Sequence, residues 1–203
     1  MARISTADEL RRHYVTPKGR SLTKQLDFLD PHCRRFIELS PFIVIASTNA
    51  AGHADASPRG ERPGFVHTVD EHTIAIPDRP GNNRLDTMEN ILENSEIGVI
   101  FLIPGVNETL RVNGAVEIRD DAELRAGFEA NGKQPATVLV VSVREAFLHC
   151  AKALMRSHLW DAAAQHDTRP IPSMGEMIRD QTDDAGPAES VADMTARYEK
   201  VLY

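Results

Sequence analysis

Short β-branched runs set close together limit what this chain can fold into. Phe42-Ile43-Val44-Ile45-Ala46-Ser47-Thr48 is one, and Ile97 to Ile103 and Thr137 to Phe147 are two more. Between them lie shorter extended stretches at Ala54–Pro58, Phe65–Val69 and Thr73–Ile76, and an alternating one at Thr109–Arg119. Turn residues such as Asn49-Ala50-Ala51-Gly52-His53, Asp70-Glu71-His72 and Pro104-Gly105 separate them. Helical patterns at 84–94 and 121–130 interrupt the series, but strands and helices do not alternate regularly. That argues against a doubly wound parallel sheet. It predicts a mainly β architecture (β+α), an antiparallel barrel with peripheral helices.

The run from Phe42 is almost wholly apolar, which predicts burial on both faces. Thr109–Arg119 reads as half-buried, with Arg111, Asn113 and Glu117 on its polar face. Residues 3–14 and 23–39 read as helical, with Asp30 as an N-cap before Pro31 at a first turn. Two helical segments, Met174–Asp180 and Ser190–Leu202, end the chain.

A hydrophobic fraction of 41% over 203 residues suffices for one core. The net charge of -7 argues against nucleic acid as a partner, since such binding rests on a basic face. Met1 to Glu9 lacks the apolar core of a signal peptide, and the longest apolar runs are too short to span a bilayer. The expectation is a cytoplasmic protein with no membrane partner. Cys33 and Cys150 lie far apart, so no disulfide framework is expected, and Cys150 reads as a small buried thiol. His32-Cys33 and His149-Cys150 lack zinc-site spacing, so no metal is expected.

Three polar clusters interrupt the apolar pattern. Pro77-Asp78-Arg79-Pro80-Gly81-Asn82-Asn83-Arg84 runs from a strand into a helix start. A turn rich in donors at the positive end of a helix dipole suits a phosphate, and arginine's fork matches its oxygens. The plain alternative is a surface turn with a local ion pair, in which Asn82 or Asn83 caps the helix. Ser57-Pro58-Arg59-Gly60 ends a strand and taken alone reads as a loop. His149 to Trp160 gathers Lys152, Arg156, Ser157 and His158 beside an aromatic plane, Trp160. Cations next to an aromatic suit a flat, negatively charged ligand; a docked helix with solvated basic residues is the alternative. Arg111 is either a fourth contributor or a cross-strand partner. No Walker loop, dinucleotide fingerprint, nucleophile elbow or zinc-protease motif is present.

Taken in order, Ser57 to Gly60, Pro77 to Arg84, Asn90 to Asn94, Ile97 to Gly105 and Glu108 to Val116 resemble the pyridoxamine 5′-phosphate oxidase-like family of FMN-binding split barrels. The nearest resemblance is to a subgroup regarded as FMN-dependent enzymes, which also carries a segment like His149-Cys150-Ala151-Lys152-Ala153 and Arg156-Ser157-His158-Leu159-Trp160. The resemblance spans about residues 30–165. It divides the chain into an N-terminal helical extension (1–29), a split-barrel domain (30–165) and a C-terminal helical tail (166–203).

What it implies is a six-stranded antiparallel split β-barrel that forms a homodimer with FMN between subunits. Arg79, Asn82, Asn83 and Arg84, next to Asp78, become the phosphate candidates. Ser57, Pro58 and Arg59 fall beside the ribityl chain and ring edge, and Arg111 near the cofactor. Lys152, Arg156 and Ser157 approach from the dimer interface, toward the partner's FMN. No residue emerges as a catalytic acid or base.

The expected activity is an FMN-dependent oxidoreductase acting on a small-molecule substrate. The acidic, helical end from Met174 to Tyr203 lacks an equivalent of the Arg-x-x-Pro-type motif of true pyridoxamine phosphate oxidases, so the substrate does not carry over. The alternatives are a non-catalytic flavin or haem binder, with His149 or His158 as an axial ligand, and a true pyridoxamine 5′-phosphate oxidase.

Overall fold

The computed structural model describes residues 3–182 and 186–200. Met1, Ala2, Val201, Leu202 and Tyr203, parts of the expected extension and tail, lie outside the described residues. The elements run α1 (Ala7–Arg11), α2 (Arg20–Thr23), α3 (Pro31–Leu39), β1 (Phe42–Thr48), β2 (Ala54–Gly60), β3 (His67–Asp70), β4 (Thr73–Asp78) and α4 (Asp86–Glu93). Then come β5 (Glu96–Leu102), β6 (Thr109–Arg119), α5 (Ala122–Ala126), β7 (Thr137–His149), α6 (Lys152–Ser157), α7 (Met174–Thr182) and α8 (Val191–Glu199). Among the described residues, no helix is long and apolar enough to cross a membrane.

The strands form one antiparallel sheet in the order β2-β1-β5-β6-β7-β4-β3. The strand count corrects the resemblance: the sheet has seven strands rather than six, because His67–Asp70 pairs with β4 as a short hairpin strand. Nor does the ladder close into a barrel, since β2 and β3 remain as edges. Pro58 is tolerated because β2 is such an edge, where a missing N–H breaks no ladder.

One face of the sheet is the core. Ile43 and Ile45 of β1, Val99 and Phe101 of β5, Leu110 and Val112 of β6 and Ile74 and Ile76 of β4 meet there. Helix α3 covers this face with Leu29 before it and Cys33 and Ile37 within it. Asp30 does cap it, accepting from the Cys33 N–H at 2.7 Å. Burial pushes the Cys33 thiol up to about 12, so it stays protonated. The expected helix over 23–39 breaks instead at Lys24, because Leu26 pairs in an antiparallel bridge with Ala146 on β7.

The expectation of two buried faces for β1 is wrong. Its burial alternates, with Phe42 40% exposed, because the segment on the outer side of the sheet, α5 with Phe128, packs over Ala75 and Val138 of β4 and β7 rather than over β1. Gly114 marks a bulge between β6 and β7, where a Cβ would lie 2.0 Å from the Ser142 carbonyl oxygen.

Candidate functional site

The sheet curls until its two distant strand ends meet. Arg59 near the end of β2 lies 3.7 Å from Asp78 at the end of β4. Just beyond both strands, Arg79 donates Nε and Nη2 to the two carboxylate oxygens of Glu61 at 2.9 and 3.1 Å. These two pairs bridge the split that the ladder leaves open. The Arg79 and Glu61 side chains are only 12% and 15% exposed, so the bridge is largely desolvated.

Beside this bridge opens a cavity of about 570 Å³, within the range of small-molecule sites. Ser57, Pro58, Arg59, Asp78, Arg79, Asn82, Asn83 and Arg84 all line it, so eight of the twelve expected residues converge. The turn from Pro80 reaches α4 through two left-handed residues, Asn83 (φ 58) and Leu85 (φ 61). Neither asparagine caps the helix. Leu85 holds the N-cap position, no side chain accepts from the first turn, and Asn82 Oδ1 instead takes the Arg84 N–H at 3.1 Å. The first N–H groups of α4 therefore remain available as donors.

Every cation here has an anion. Arg84 pairs with Asp86 through Nε and Nη2 at 2.8 and 3.2 Å, which holds the Asp86 carboxyl below its usual range. Arg59 also donates to the Ser57 hydroxyl and, at 3.0 Å, to the Pro58 carbonyl. Burial pushes the Asp78 carboxyl up, and Arg59 partly offsets this. Asp55 accepts from the Thr87 hydroxyl at 3.1 Å. The lining thus carries three arginines and three aspartates, of which Arg59–Asp78 and Arg84–Asp86 are paired with each other.

The arginines differ in exposure. Arg84 is 71% exposed and its pairing is cheap to exchange, whereas Arg79 is locked. Sequence reasoning missed Asp55, Glu61, Asp86 and Thr87. Asp55 was findable, since it shares a strand face with Ser57 and Arg59 at a spacing of two.

The other four expected residues lie elsewhere. Arg111 pairs across the sheet with Ile100, which sits beside Val44, which sits beside Pro58. That row belongs to the outer face, while Ser57 pairs with the buried Ile45 on the inner one. Three strand spacings separate Pro58 from Arg111, about 14 Å. Arg111 stacks 4.1 Å over the Phe147 ring and reaches Glu145 at 3.5 Å, while its buried Nε has no partner among the described residues. His149 lies against the same ring, 4.7 Å between centroids.

Lys152, Arg156 and Ser157 form part of α6, where Arg156 Nε donates to the Lys152 carbonyl and Ser157 Oγ to that of Leu154. Trp160 anchors the segment by donating Nε1–H to the Val106 carbonyl at 2.9 Å. His158 is engaged by Asp161 at 2.7 Å. Cys150 is exposed, not buried as expected, because it follows β7 out of the sheet.

A second recess, about 630 Å³, lies between α3 and β3 beside Arg34, Gly64 and His67. It is larger but shallower, and Arg35 on its rim is already paired with Glu38 at 2.6 Å. It lacks the converging donors of the split. Among the described residues, no three His, Cys, Asp or Glu side chains group to hold a metal ion.

A phosphate fits the split on these observations. An uncapped helix start, an exposed arginine and two asparagines border a cavity of suitable size. The balanced lining requires the ligand to displace Asp86 from Arg84.

Comparison with known proteins agrees with this architecture. A family model described as pyridoxamine 5′-phosphate oxidase matches residues 29–150. Among solved structures, a variant of HupZ from Group A Streptococcus is similar, with a TM-score of 0.50 and 17% identity over 60% of this chain and 99% of that one. A Lactobacillus delbrueckii protein described as a candidate pyridoxamine 5′-phosphate oxidase gives 0.50 and 17%, over 61% and 98%. These likenesses show the fold alone. No curated protein matches the chain. The family match spans more than half of the sequence, and the chain belongs to the pyridoxamine 5′-phosphate oxidase family.

Proposed function

We propose that this chain binds FMN at the split of its sheet and acts, as a homodimer, as an FMN-dependent oxidoreductase on a small-molecule substrate. The observation that carries the reading is the convergence of eight expected cofactor residues on one cavity. Arg84, Asn82, Asn83 and the first N–H groups of α4 are the phosphate donors. Ser57 and the Arg59–Asp78 pair, deeper in the split, border the ribityl chain and ring. Arg79 has a different role from the one the resemblance implies: bound to Glu61, it braces the two strand ends so that the donors keep their positions.

The bound flavin supplies the electron-carrying ring, and the protein binds and orients it. Arg59 is placed to offer positive charge to an anionic ring edge, tempered by Asp78. Arg111, Lys152, Arg156 and Ser157 serve a flavin only from a second subunit, because Arg111 occupies the opposite sheet face and α6 does not line the cavity. That division supports the homodimer. So do two apolar side chains on the outer face, Phe42 and Ile100, which stand about 40% exposed.

The absorption spectrum of the purified protein tests the cofactor. Flavin bands, as isolated or after adding FMN, are expected. A colourless protein that leaves added FMN free contradicts the reading, and a Soret band replaces it with haem binding. Reduction of the bound flavin by a nicotinamide donor separates an enzyme from a carrier.

A further inference from the structure

The C-terminal tail presents a surface that its own chain does not use. Helices α7 and α8 pack on each other, closely enough that a Cβ at Gly175 would lie 2.3 Å from the Glu189 carbonyl oxygen. Neither helix has a buried residue among those described. Met174 and Ile178 on α7 and Val191 and Tyr198 on α8 are each at least 42% exposed, and Ile171 just before them is more so. A helical hairpin with an uncovered apolar stripe gains little from folding alone and gains it by docking.

The hairpin is also acidic. Residues 166–203 carry eight acidic and four basic side chains, a net charge of -4 within a chain of -7. A surface of opposite character lies at the end of β7. Lys24 and Arg111 both approach the Phe147 ring there, at 5.2 and 4.1 Å. The strand leads directly into α6, whose Lys152 and Arg156 have no acidic residue among them from Cys150 to Trp160. Apolar side chains accompany these cations, since Met155 and Leu159 are half-exposed. Glu145, the carboxylate beside Arg111, is already shared with Gln25 and Asn113.

We infer that the α7–α8 hairpin of one copy lies over the basic β7–α6 end of a second copy, tying the two subunits together. It rests on the homodimer proposed above. A two-fold axis satisfies both surfaces at once, because each chain has one acidic apolar hairpin and one basic apolar end, and the exchange closes without leaving either free. Charge complementarity favours this partner face. The hairpin then closes over the segment that carries Lys152, Arg156 and Ser157, so it controls access to the flavin that these residues are proposed to serve.

The test uses full-length chains, one preparation labelled with 15N and one not, mixed until native mass spectrometry shows heavy–light dimers. A zero-length carbodiimide then joins carboxylates to lysines. The expected products are heavy–light peptide pairs linking Glu176, Asp180 or Asp193 to Lys152 or Lys24. Links from the hairpin to those lysines only within one label, or a dimer that cross-links elsewhere but never there, overturn the inference while leaving the dimer standing. A monomer overturns both. As a second measurement, Ile178→Glu is expected to raise the dimer dissociation constant at least tenfold without moving the unfolding midpoint of the monomer. An unchanged dissociation constant contradicts the inference.

Discussion

The turn after β4 and the segment after β7 look alike in sequence, each a cation-rich stretch leaving a strand, yet the fold treats them in opposite ways. Around Asp78 and Arg79 the sheet curls until Arg59 of β2 and Glu61 just after it arrive, and the charges become largely buried ion pairs beside a cavity. Around Lys152 and Arg156 no other described element arrives. Those side chains stay exposed, and Arg111 nearby spends its cationic face on Phe147. A cluster of cations therefore becomes a site where curvature brings a second strand to it. Elsewhere it remains a surface waiting for another molecule.

That contrast breaks first at the bridge. Glu61→Gln removes the carboxylate charge that Arg79 grips in a largely desolvated position, and the expected cost is about 3 kcal/mol of stability, read from denaturant unfolding. The matching change at the other end, Arg156→Ala, is expected to leave the unfolding midpoint of the monomer where it was. Equal effects from the two would erase the distinction between a built site and a solvated face. A smaller effect sharpens the cavity end: Thr87→Val removes the hydroxyl that donates to Asp55, with an expected loss of about 1 kcal/mol.

Much of this was legible beforehand, for physical reasons that can be named. Asp30 before Pro31 gave the start of α3, because a side-chain acceptor and a fixed φ are local instructions. The strands showed through their β-branched runs and the turns between them, and β6 through its alternation, and seven could be counted although the resemblance implied six. The helix start at α4 was placed only approximately. Its left-handed Leu85 entry is imposed by the turn, since leucine has no preference for it. Glu61 and Asp86 were invisible as partners because nothing local says that β2 will meet β4 or that Asp86 will turn back on Arg84. The open outer face of β1 was likewise hidden, because an apolar strand reads the same whether its second face meets its own chain or another.

Acidification probes the two regions together, with the smallest effect. Burial holds His67, near the bridge, below its ordinary value against the pull of Glu61. Burial, then Arg111 and Lys24, does the same to His149. A folded value below the unfolded 6.5 means that the stability from each is complete above pH 6.5. It is lost as pH falls through the lowered folded value. Unfolding midpoints are expected to drop over that window. NMR titration of Arg111→Gln should move His149 upward and leave His67 in place; a shift in both would show that the two ends are electrostatically joined.

The central claim is that the split of the sheet holds a flavin phosphate through the exposed Arg84 beside an uncapped helix. Titrating FMN into the apoprotein and following flavin fluorescence, for the wild type and for Arg84→Ala, tests it most directly. The account predicts saturable quenching with one FMN per chain and an affinity about 30-fold weaker in the variant, the loss of a charge-assisted pair to phosphate. Absence of quenching in the wild type, or equal affinity in both proteins, would contradict it.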